Sequence, residues 1–345
     1  TASPAPTAAA RCPVADGAPR LQRITDYPAL LAEAWAQAHA PREANAPTVI
    51  STFAGCGGSS LGYHMAGFRE LLAVEWEQNA ADTFRLNFPH VPLYHGDIAK
   101  LSVEECLRLA GVAPGELDVF DGSPPCQGFS TSGKREIGDG RNQLFREFVR
   151  LLSGLRPRAF VMENVSGMVK GDFKVIFAEI LRTLKACGYR VKVRLLNAMF
   201  YGVPQSRERM IFVGVREDIG VEASHPSGWS EPFGVTPDAA PDGVWLTPAQ
   251  VVSAKAHKAK QEAKGNGFGW SPIDPRRPCA TLPKSLSGSF SHPLWVESAD
   301  RLRAPSSAEL SRIGSFPHGF RFTDRAAQWA RIGNSVPPLL MRSIA

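Results

Sequence analysis

From residue 48 onward, short runs of β-branched and aromatic residues alternate with segments whose apolar residues recur at helical spacing. The predicted strands are 48–53, 71–75, 118–122, 159–163, 190–196 and 210–215, and the predicted helices are 61–66, 80–88, 103–109, 142–155 and 173–187. This alternation predicts an α/β fold with a doubly wound, mostly parallel sheet that helices cover on both faces. Because such folds bind ligands at the carboxyl ends of their strands, chemistry is expected in the loops that follow strands.

Outside this alternation the pattern changes three times. Residues 1–19 are rich in Ala, Pro and Thr and lack large apolar side chains, and Asp26 is placed to cap a helix over 27–39. A stretch rich in Pro, Gly and Trp covers 217–242 and precedes a helix that begins at Thr247 and Pro248 and ends near Gly265. We therefore predict four parts: an N-terminal tail and helix (1–47), a large domain (48–216), a smaller domain (217–319) and a segment (320–345) that returns to the large domain.

The composition excludes several classes of protein. The 345 residues are 43% apolar and 21% charged, which is ordinary for a globular chain and excludes a disordered chain or a coiled coil. The formal net charge of +6 is compatible with a polyanionic partner. The 6 cysteines are sparse and form no Cys-x-x-Cys pair, so we expect free thiols in a reducing compartment. Neither a long apolar run nor a signal core is present, which favours a cytosolic, soluble protein.

A glycine-rich turn follows the first predicted strand. The turn runs from Phe53 through Gly55, Gly57 and Gly58 into a helix, whose free backbone N–H groups can bind an anionic group. Glu75 ends the second strand, where a carboxylate can accept hydrogen bonds from ribose hydroxyls. Together these features predict a nucleoside cofactor. The spacing departs from G-x-G-x-x-G, which favours S-adenosyl-L-methionine over a nicotinamide dinucleotide.

A cysteine and an acid follow the next two predicted strands. Cys126 lies in Pro124-Pro125-Cys126-Gln127, where the two prolines stiffen the chain before the thiol. This is not the setting of an inert core cysteine, and we predict that Cys126 is a nucleophile. Glu163 ends the neighbouring strand and is the candidate proton donor.

Five ordered motifs carry a family resemblance. They are Phe53-x-Gly55-x-Gly57-Gly58, Pro124-Pro125-Cys126-Gln127, Glu163-Asn164-Val165, Gln205-Ser206-Arg207-Glu208-Arg209 and Gly333-Asn334-Ser335-Val336. The set resembles the motifs of bacterial DNA (cytosine-5) methyltransferases and spans residues 48–345. Segments 265–269 and 277–282 also resemble the end of that family's target-recognition domain, which identifies 217–319 with this domain and 48–216 with the catalytic domain.

The resemblance implies the chemistry. Cytosine C5 is a poor nucleophile, so the family adds a cysteine thiolate to C6, and Cys126 is in that position. Glu163 would donate a proton or hydrogen bond at ring N3, and Asn164 would hold its loop. Arg209, aided by Arg207, would hold the cytosine carbonyl and a phosphate. The sequence identifies no side chain as the base that removes the C5 proton.

The resemblance also implies the ligands. The cofactor is S-adenosyl-L-methionine, with S-adenosyl-L-homocysteine as its product and no metal. Its implied contacts are Phe53, Gly55, Cys56, Gly58, Glu75, Trp76, Asp97, Ile98, Pro125, Leu144, Asn334 and Val336. Cys56, however, is expected mainly to pack. The substrate is a cytosine flipped out of double-stranded DNA, with implied DNA contacts from Gln127, Ser130, Ser132 and Thr281.

Other interpretations stay open at this point. A tRNA cytosine-5 methyltransferase shares the catalytic motifs, but its usual Cys-Phe-Thr triplet is absent from this sequence. A catalytically silent DNA-binding homologue would typically lack Cys126 or the Glu163-Asn164-Val165 triplet. We expect a monomer in the bacterial cytoplasm, associated with the nucleoid. Neither the recognised DNA sequence nor a cognate restriction endonuclease follows from the sequence.

Overall fold

Twelve strands are present in the computed structural model, which describes residues 21–125, 143–169, 173–238, 245–263, 271–284, 294–298 and 301–345. They are β1 (Thr48–Thr52), β2 (Arg69–Glu75), β3 (Leu93–His95), β4 (Val119–Gly122), β5 (Ala159–Val165), β6 (Tyr189–Asn197), β7 (Gln205–Ser206), β8 (Glu208–Arg216), β9 (Ser271–Pro272), β10 (Cys279–Ala280), β11 (Leu294–Ser298) and β12 (Arg301–Arg303). Seven of them form the main sheet, in the order β3, β2, β1, β4, β5, β8, β6. Two small sheets join β10 to β7, and β9 and β12 to β11.

The predicted, mostly parallel sheet is confirmed, with two differences. β8 runs antiparallel to both of its neighbours, β5 and β6. The link from β6 to β8 is too short for the crossover helix that a parallel pair needs, so the chain turns back on itself. β3 is missing from the list of predicted strands because its 3 residues are too few to show a periodic pattern.

Ten α-helices accompany the strands in the described residues. They are α1 (Tyr27–His39), α2 (Gly58–Met65), α3 (Gln78–Asn87), α4 (Val103–Ala110), α5 (Gln143–Leu155), α6 (Phe173–Ala186), α7 (Pro248–Glu262), α8 (Ser307–Ile313), α9 (Arg325–Asn334) and α10 (Pro338–Ile344), with 3-10 turns at Ile98–Lys100, Ser166–Val169, Ala198–Phe200 and Glu217–Ile219. None of these helices is long and apolar enough to cross a membrane.

Side chains of the central strands alternate between two hydrophobic cores. On β1, Val49 belongs to one core and Ile50 to the other. On β5, Val161 packs in the first core while Phe160 and Met162 pack in the second. This alternation is the consequence of strand geometry, since successive side chains point to opposite faces. Both faces of the sheet are therefore buried, as the apolar strand patterns predict.

Two helix starts follow from local sequence. The Asp26 carboxylate accepts a hydrogen bond from the Ala29 N–H at 2.9 Å, which confirms the predicted cap of α1. At α7, the Gln250 side chain accepts from the Thr247 N–H at 2.8 Å, and the Thr247 hydroxyl accepts from the Gln250 N–H at 3.4 Å. These two bonds form a capping box at the predicted start of the helix. The predicted stop at Gly265 lies outside the described residues.

The C-terminal helix packs on the helix that follows the glycine-rich turn. α10 lies so close to α2 that a side chain at Gly62 would place its Cβ 2.5 Å from the Met341 Cβ. Leu340 and Met341 are fully buried in the first core. Helix α10 therefore supports α2 and the glycine-rich turn that precedes it.

Replacing Leu340 by alanine removes buried methyl groups at this contact. We expect Leu340→Ala to lower the free energy of unfolding by about 2 to 5 kcal/mol, because the cavity that it leaves cannot fully collapse. Urea denaturation measures the change. Val252→Ala on α7 is the control, since Val252 is 68% exposed and its truncation should cost less than about 0.5 kcal/mol. Equal losses for the two variants would contradict the packing of α10 on α2.

Candidate active site

A cavity of about 330 Å³ opens at the carboxyl ends of β1 to β4. Its lining includes seven residues that the sequence predicts for cofactor binding, and these are Phe53, Glu75, Trp76, Asp97, Ile98, Pro125 and Leu144. Val74 and Gly96 complete the wall. A larger cavity of about 820 Å³ lies between α1 and the region of α8 and α9, and none of the predicted site residues line it. The smaller cavity is therefore the candidate site.

The Glu75 carboxylate connects two of the strand ends around this cavity. Its Oε2 accepts the Gly55 N–H at 2.8 Å, while Oε1 accepts the N–H groups of Trp76 at 2.9 Å and Glu77 at 2.8 Å. A carboxylate has about four acceptor positions, so these bonds do not exhaust its capacity. Asp97 likewise lines the cavity and accepts a backbone hydrogen bond, from the Ala99 N–H to its Oδ1 at 3.0 Å.

The turn after β1 is held in a costly backbone conformation. Phe53 has a φ of 55°, in the left-handed region that non-glycine residues rarely adopt, and Gly57 has a φ of 95°. A Cβ on Gly58 would lie 2.5 Å from the Val336 carbonyl oxygen, so only glycine lets the C-terminal segment approach. Backbone strain of this kind persists where the surrounding structure imposes it, and it is common at ligand sites.

Cys56 packs against the C-terminal segment. Its Sγ lies 3.1 Å from the Ser335 Oγ, and the residue is 1% exposed. Burial raises the pKa of this thiol to about 11, which keeps it protonated at neutral pH. Val336 is buried beside it, whereas Asn334 is exposed at the end of α9. The structure therefore places Cys56, Gly58 and Val336 where the last segment meets the turn, and they do not line the cavity.

Glu163 and Arg209 form an ion pair near the end of β5. The Arg209 Nε lies 2.7 Å from the Glu163 Oε1, and both side chains are nearly buried, with 13% and 12% of their surface exposed. On the antiparallel pair β5 and β8, Glu163 is opposite Ile211 and Arg209 is two residues away, so the two side chains are diagonal neighbours on one face. The structure thus brings together two of the predicted catalytic residues.

Asn164 links this strand to the chain that precedes Cys126. Its Nδ2 donates to the Pro124 carbonyl oxygen at 3.3 Å, and its Oδ1 accepts the Val165 N–H at 2.8 Å. The side chain is buried. Four predicted residues, Cys126, Gln127, Ser130 and Ser132, lie outside the described residues. The contact to Pro124 nevertheless relates Glu163 to the segment that carries the predicted nucleophile.

Arg207 lies inside the protein. Its Nη1 donates to the Leu282 carbonyl oxygen at 3.2 Å and its Nη2 to that of Gly333 at 2.9 Å, and the residue is 2% exposed. Burial lowers the pKa of its guanidinium well below the ordinary value. Arg207 therefore joins three distant segments, in contrast to Arg209, which faces Glu163. Its predicted help in holding cytosine stays a prediction.

Thr281 occupies an exposed position next to β10. Its Oγ1 donates to the Ser206 carbonyl oxygen at 2.5 Å, and so joins the segment after β10 to β7. This bond uses the hydroxyl proton, while the oxygen can still accept. The predicted contact with a DNA phosphate stays a prediction.

The sequence did not identify two charged residues beside the cavity. Glu77 follows Trp76 directly, and its carboxylate pairs with Arg331 on α9. The two residues are 254 positions apart, and neither has a distinctive local pattern. The only available signal is their closeness to predicted motifs, since Arg331 precedes Gly333-Asn334 by two residues.

No group of three or more His, Cys, Asp or Glu side chains that could hold a metal ion occurs in the part of the chain that the structure describes.

Comparison with known proteins places this site in a family. Residues 47–241 match the family model for C-5 cytosine-specific DNA methylase. The chain is 36% identical over 323 residues to the Type II methyltransferase M1.HphI of Haemophilus parahaemolyticus, covering 86% of this chain and 85% of that protein. It is 32% identical to the Type II methyltransferase M.NgoPII of Neisseria gonorrhoeae, covering 90% of this chain and 97% of that protein.

Solved structures agree with this assignment. A prophage-encoded protein of E. coli, assigned as a DNA modification methyltransferase, superposes with a TM-score of 0.64 at 25% identity, covering 87% of this chain and 97% of the other. A variant of DNMT2 from Spodoptera frugiperda superposes with a TM-score of 0.66 at 18% identity, covering 86% and 98%, and shows the shared fold. The chain therefore belongs to the C-5 cytosine-specific DNA methylase family.

Proposed function

We propose that this protein transfers a methyl group from S-adenosyl-L-methionine to C5 of a flipped-out cytosine in a specific duplex DNA sequence. The observation that carries the proposal is the Glu163 and Arg209 pair at one end of the sheet, linked through Asn164 and Pro124 to the segment that enters Cys126. Pro125, which precedes Cys126, also lines the cavity. A methyl donor in the cavity and a base held by the ion pair would therefore meet beside one thiol.

The chemistry of the cavity lining supports this choice of cofactor. Phe53, Ile98 and Leu144 supply apolar contacts for a purine, and Glu75 supplies a buried carboxylate with remaining acceptor capacity for ribose hydroxyls. Trp76 is 76% exposed on the rim, where its ring is available to cover a base. When bound, S-adenosyl-L-methionine supplies an electrophilic methyl group on a sulfonium.

Cys126 supplies the electrons that C5 lacks. Its thiolate would form a bond to C6, which raises the electron density at C5, and C5 would take the methyl group as the bond between the methyl carbon and the sulfonium sulfur breaks. A base or water would then remove the C5 proton, and the electrons of that C–H bond would restore the ring as the Sγ–C6 bond breaks. The products would be 5-methylcytosine, S-adenosyl-L-homocysteine and the free Cys126 thiolate, so no redox partner is needed.

Glu163 and Arg209 would orient and activate the ring. The Glu163 carboxyl group, when protonated, would donate to or share its proton with N3, which would make C6 more electrophilic. Arg209 has further N–H donors besides the Nε that faces Glu163, and a planar guanidinium is suited to a cytosine carbonyl. Arg207, being buried, would act by positioning β8.

The relatives suggest a biological setting. Two of them are Type II methyltransferases that match this protein over most of their length. By this likeness we propose that the protein is the modification enzyme of a restriction-modification system and protects the sequence that a partner endonuclease cuts. The target cytosine lies within a duplex and must be flipped out, at a cost of a few kcal/mol that pocket contacts offset.

Incubation with S-adenosyl-L-methionine and unmethylated genomic DNA, followed by bisulfite sequencing, tests the proposal. We expect methylated cytosines in one short sequence, and none with Cys126→Ala, which lacks the nucleophile. Cys187→Ser is the matched control, since Cys187 lies at the end of α6, away from the cavity, and should keep full activity. Labelling of tRNA without DNA methylation would support an RNA substrate instead. Turnover by Cys126→Ala near that of the unaltered protein would overturn the covalent mechanism.

Glu75→Ala should weaken cofactor binding. The variant loses a charge-assisted hydrogen bond to ribose, which is worth about 1.5 to 3 kcal/mol. Isothermal titration with S-adenosyl-L-homocysteine measures the loss. Asp82→Ala on α3, where the carboxylate is 44% exposed, should bind normally. An unchanged dissociation constant for Glu75→Ala would contradict the placement of the ribose.

The buried thiols should resist alkylation. Burial raises the pKa values of Cys56, Cys106 and Cys279 to about 11, about 12 and about 12, so the thiolate is scarce below those values. At pH 8 we expect iodoacetamide to leave these three cysteines unmodified in the folded protein and to modify them in urea, as measured by mass spectrometry. Rapid modification of Cys56 in the folded protein would reopen the question of which cysteine is the nucleophile.

A further inference from the structure

An ion pair joins the cofactor cavity to the C-terminal segment. The Arg331 Nη1 lies 2.7 Å from the Glu77 Oε2, and the Nη2 contacts Oε1, so the guanidinium and the carboxylate meet through two parallel contacts. Arg331 is 6% exposed, whereas the Glu77 side chain is 39% exposed. Such two-point geometry fixes orientation as well as distance.

Glu77 controls the position of the acid that faces the cavity. Its backbone N–H donates to the Glu75 Oε1 at 2.8 Å, alongside the N–H of Trp76 at 2.9 Å. Its carbonyl oxygen accepts the Ala81 N–H at 2.9 Å, at the start of α3. Any movement of Glu77 therefore changes the hydrogen bonds that orient the Glu75 carboxylate.

Arg331 is also connected to the glycine-rich turn. Its carbonyl oxygen accepts a hydrogen bond from the Ser335 Oγ at 2.8 Å, and Ser335 contacts Cys56 in the glycine-rich turn. Two residues earlier on α9, the Trp329 indole donates to the Pro283 carbonyl oxygen at 3.1 Å. The helix that carries Arg331 is thus held by contacts on both sides of that residue, at Trp329 and at Ser335.

A second contact between the same two regions provides a comparison. The Asn79 Nδ2 donates to the Thr323 Oγ1 at 3.0 Å, linking α3 to the segment before α9. Neither residue lines the cavity or contacts Glu75. A contact that only holds the two regions together would resemble this one. The Glu77 and Arg331 pair differs, because the Glu77 backbone N–H also donates to the Glu75 carboxylate.

We propose that Glu77 and Arg331 are positioning residues for S-adenosyl-L-methionine, which hold the Glu75 carboxylate in the orientation that binds the ribose. This inference rests on the proposed function, since it concerns the same cofactor site. The pair does not touch the cofactor in this assignment and acts through the backbone of residues 75–77. Its loss should weaken cofactor binding and leave the methyl-transfer step intact.

Titration calorimetry with S-adenosyl-L-homocysteine tests the inference. We expect Glu77→Gln to raise the dissociation constant about tenfold, because the neutral amide keeps only one acceptor oxygen and forms no ion pair with Arg331. Arg331→Lys should act in the same direction, since lysine keeps the charge but loses the planar fork. In methylation assays on unmethylated genomic DNA, the KM for S-adenosyl-L-methionine should rise while kcat at saturating cofactor stays unchanged.

Thr323→Val is the matched control. It removes the contact with Asn79 and a 3.4 Å hydrogen bond to the Asp324 carboxylate, neither of which involves Glu75 or Glu77, so this variant should bind the cofactor product normally. Thermal melts followed by circular dichroism define a temperature at which all variants are folded. If Glu77→Gln is unstable, Arg331→Lys provides the test, because lysine retains the apolar stem and the positive charge of arginine. Lower melting temperatures with unchanged dissociation constants would overturn the inference and leave the proposed function standing. No binding by the unaltered protein would overturn the cofactor site and the inference together.

Discussion

The hydrogen bond from the Gly55 N–H to the Glu75 carboxylate is the contact on which the site depends. It joins the turn after β1 to the end of β2, so that an anionic acceptor lies between two strand ends. The left-handed backbone at Phe53 and the close approach at Gly58 are both consequences of bringing this turn against its neighbours. The Glu77 and Arg331 pair connects the same region to the C-terminal segment.

The reversed strand β8 has a comparable role on the other side of the sheet. Because β8 runs antiparallel to β5, Arg209 reaches Glu163 from the adjacent strand, and the two charges neutralise each other in a nearly buried place. A parallel strand would have placed this part of the sequence at a different register. The direction of one strand therefore determines whether the Glu163 and Arg209 side chains meet.

Segments that are far apart in the sequence contact each other near the site. Arg207 holds the backbone of Leu282 and Gly333 together, and α10 packs on α2 through Gly62. Burying a guanidinium group costs desolvation free energy, and its hydrogen bonds to carbonyl oxygens offset this cost only when their geometry is fixed. This condition suits a residue that joins distant segments. Residues from distant parts of the described chain thus support the glycine-rich turn and β8.

The sequence by itself determined many local features: helices α1 to α7, six of the seven strands of the main sheet, the caps at Asp26 and Thr247, and the strand positions of Glu75 and Glu163. These follow from periodicity and from short-range hydrogen bonds, which neighbouring residues encode. Only the tertiary structure decided the direction of β8, the burial of Arg207 and the pairing of Glu77 with Arg331. Each of these depends on contacts between residues far apart in the chain, and a single sequence carries no local pattern for such contacts.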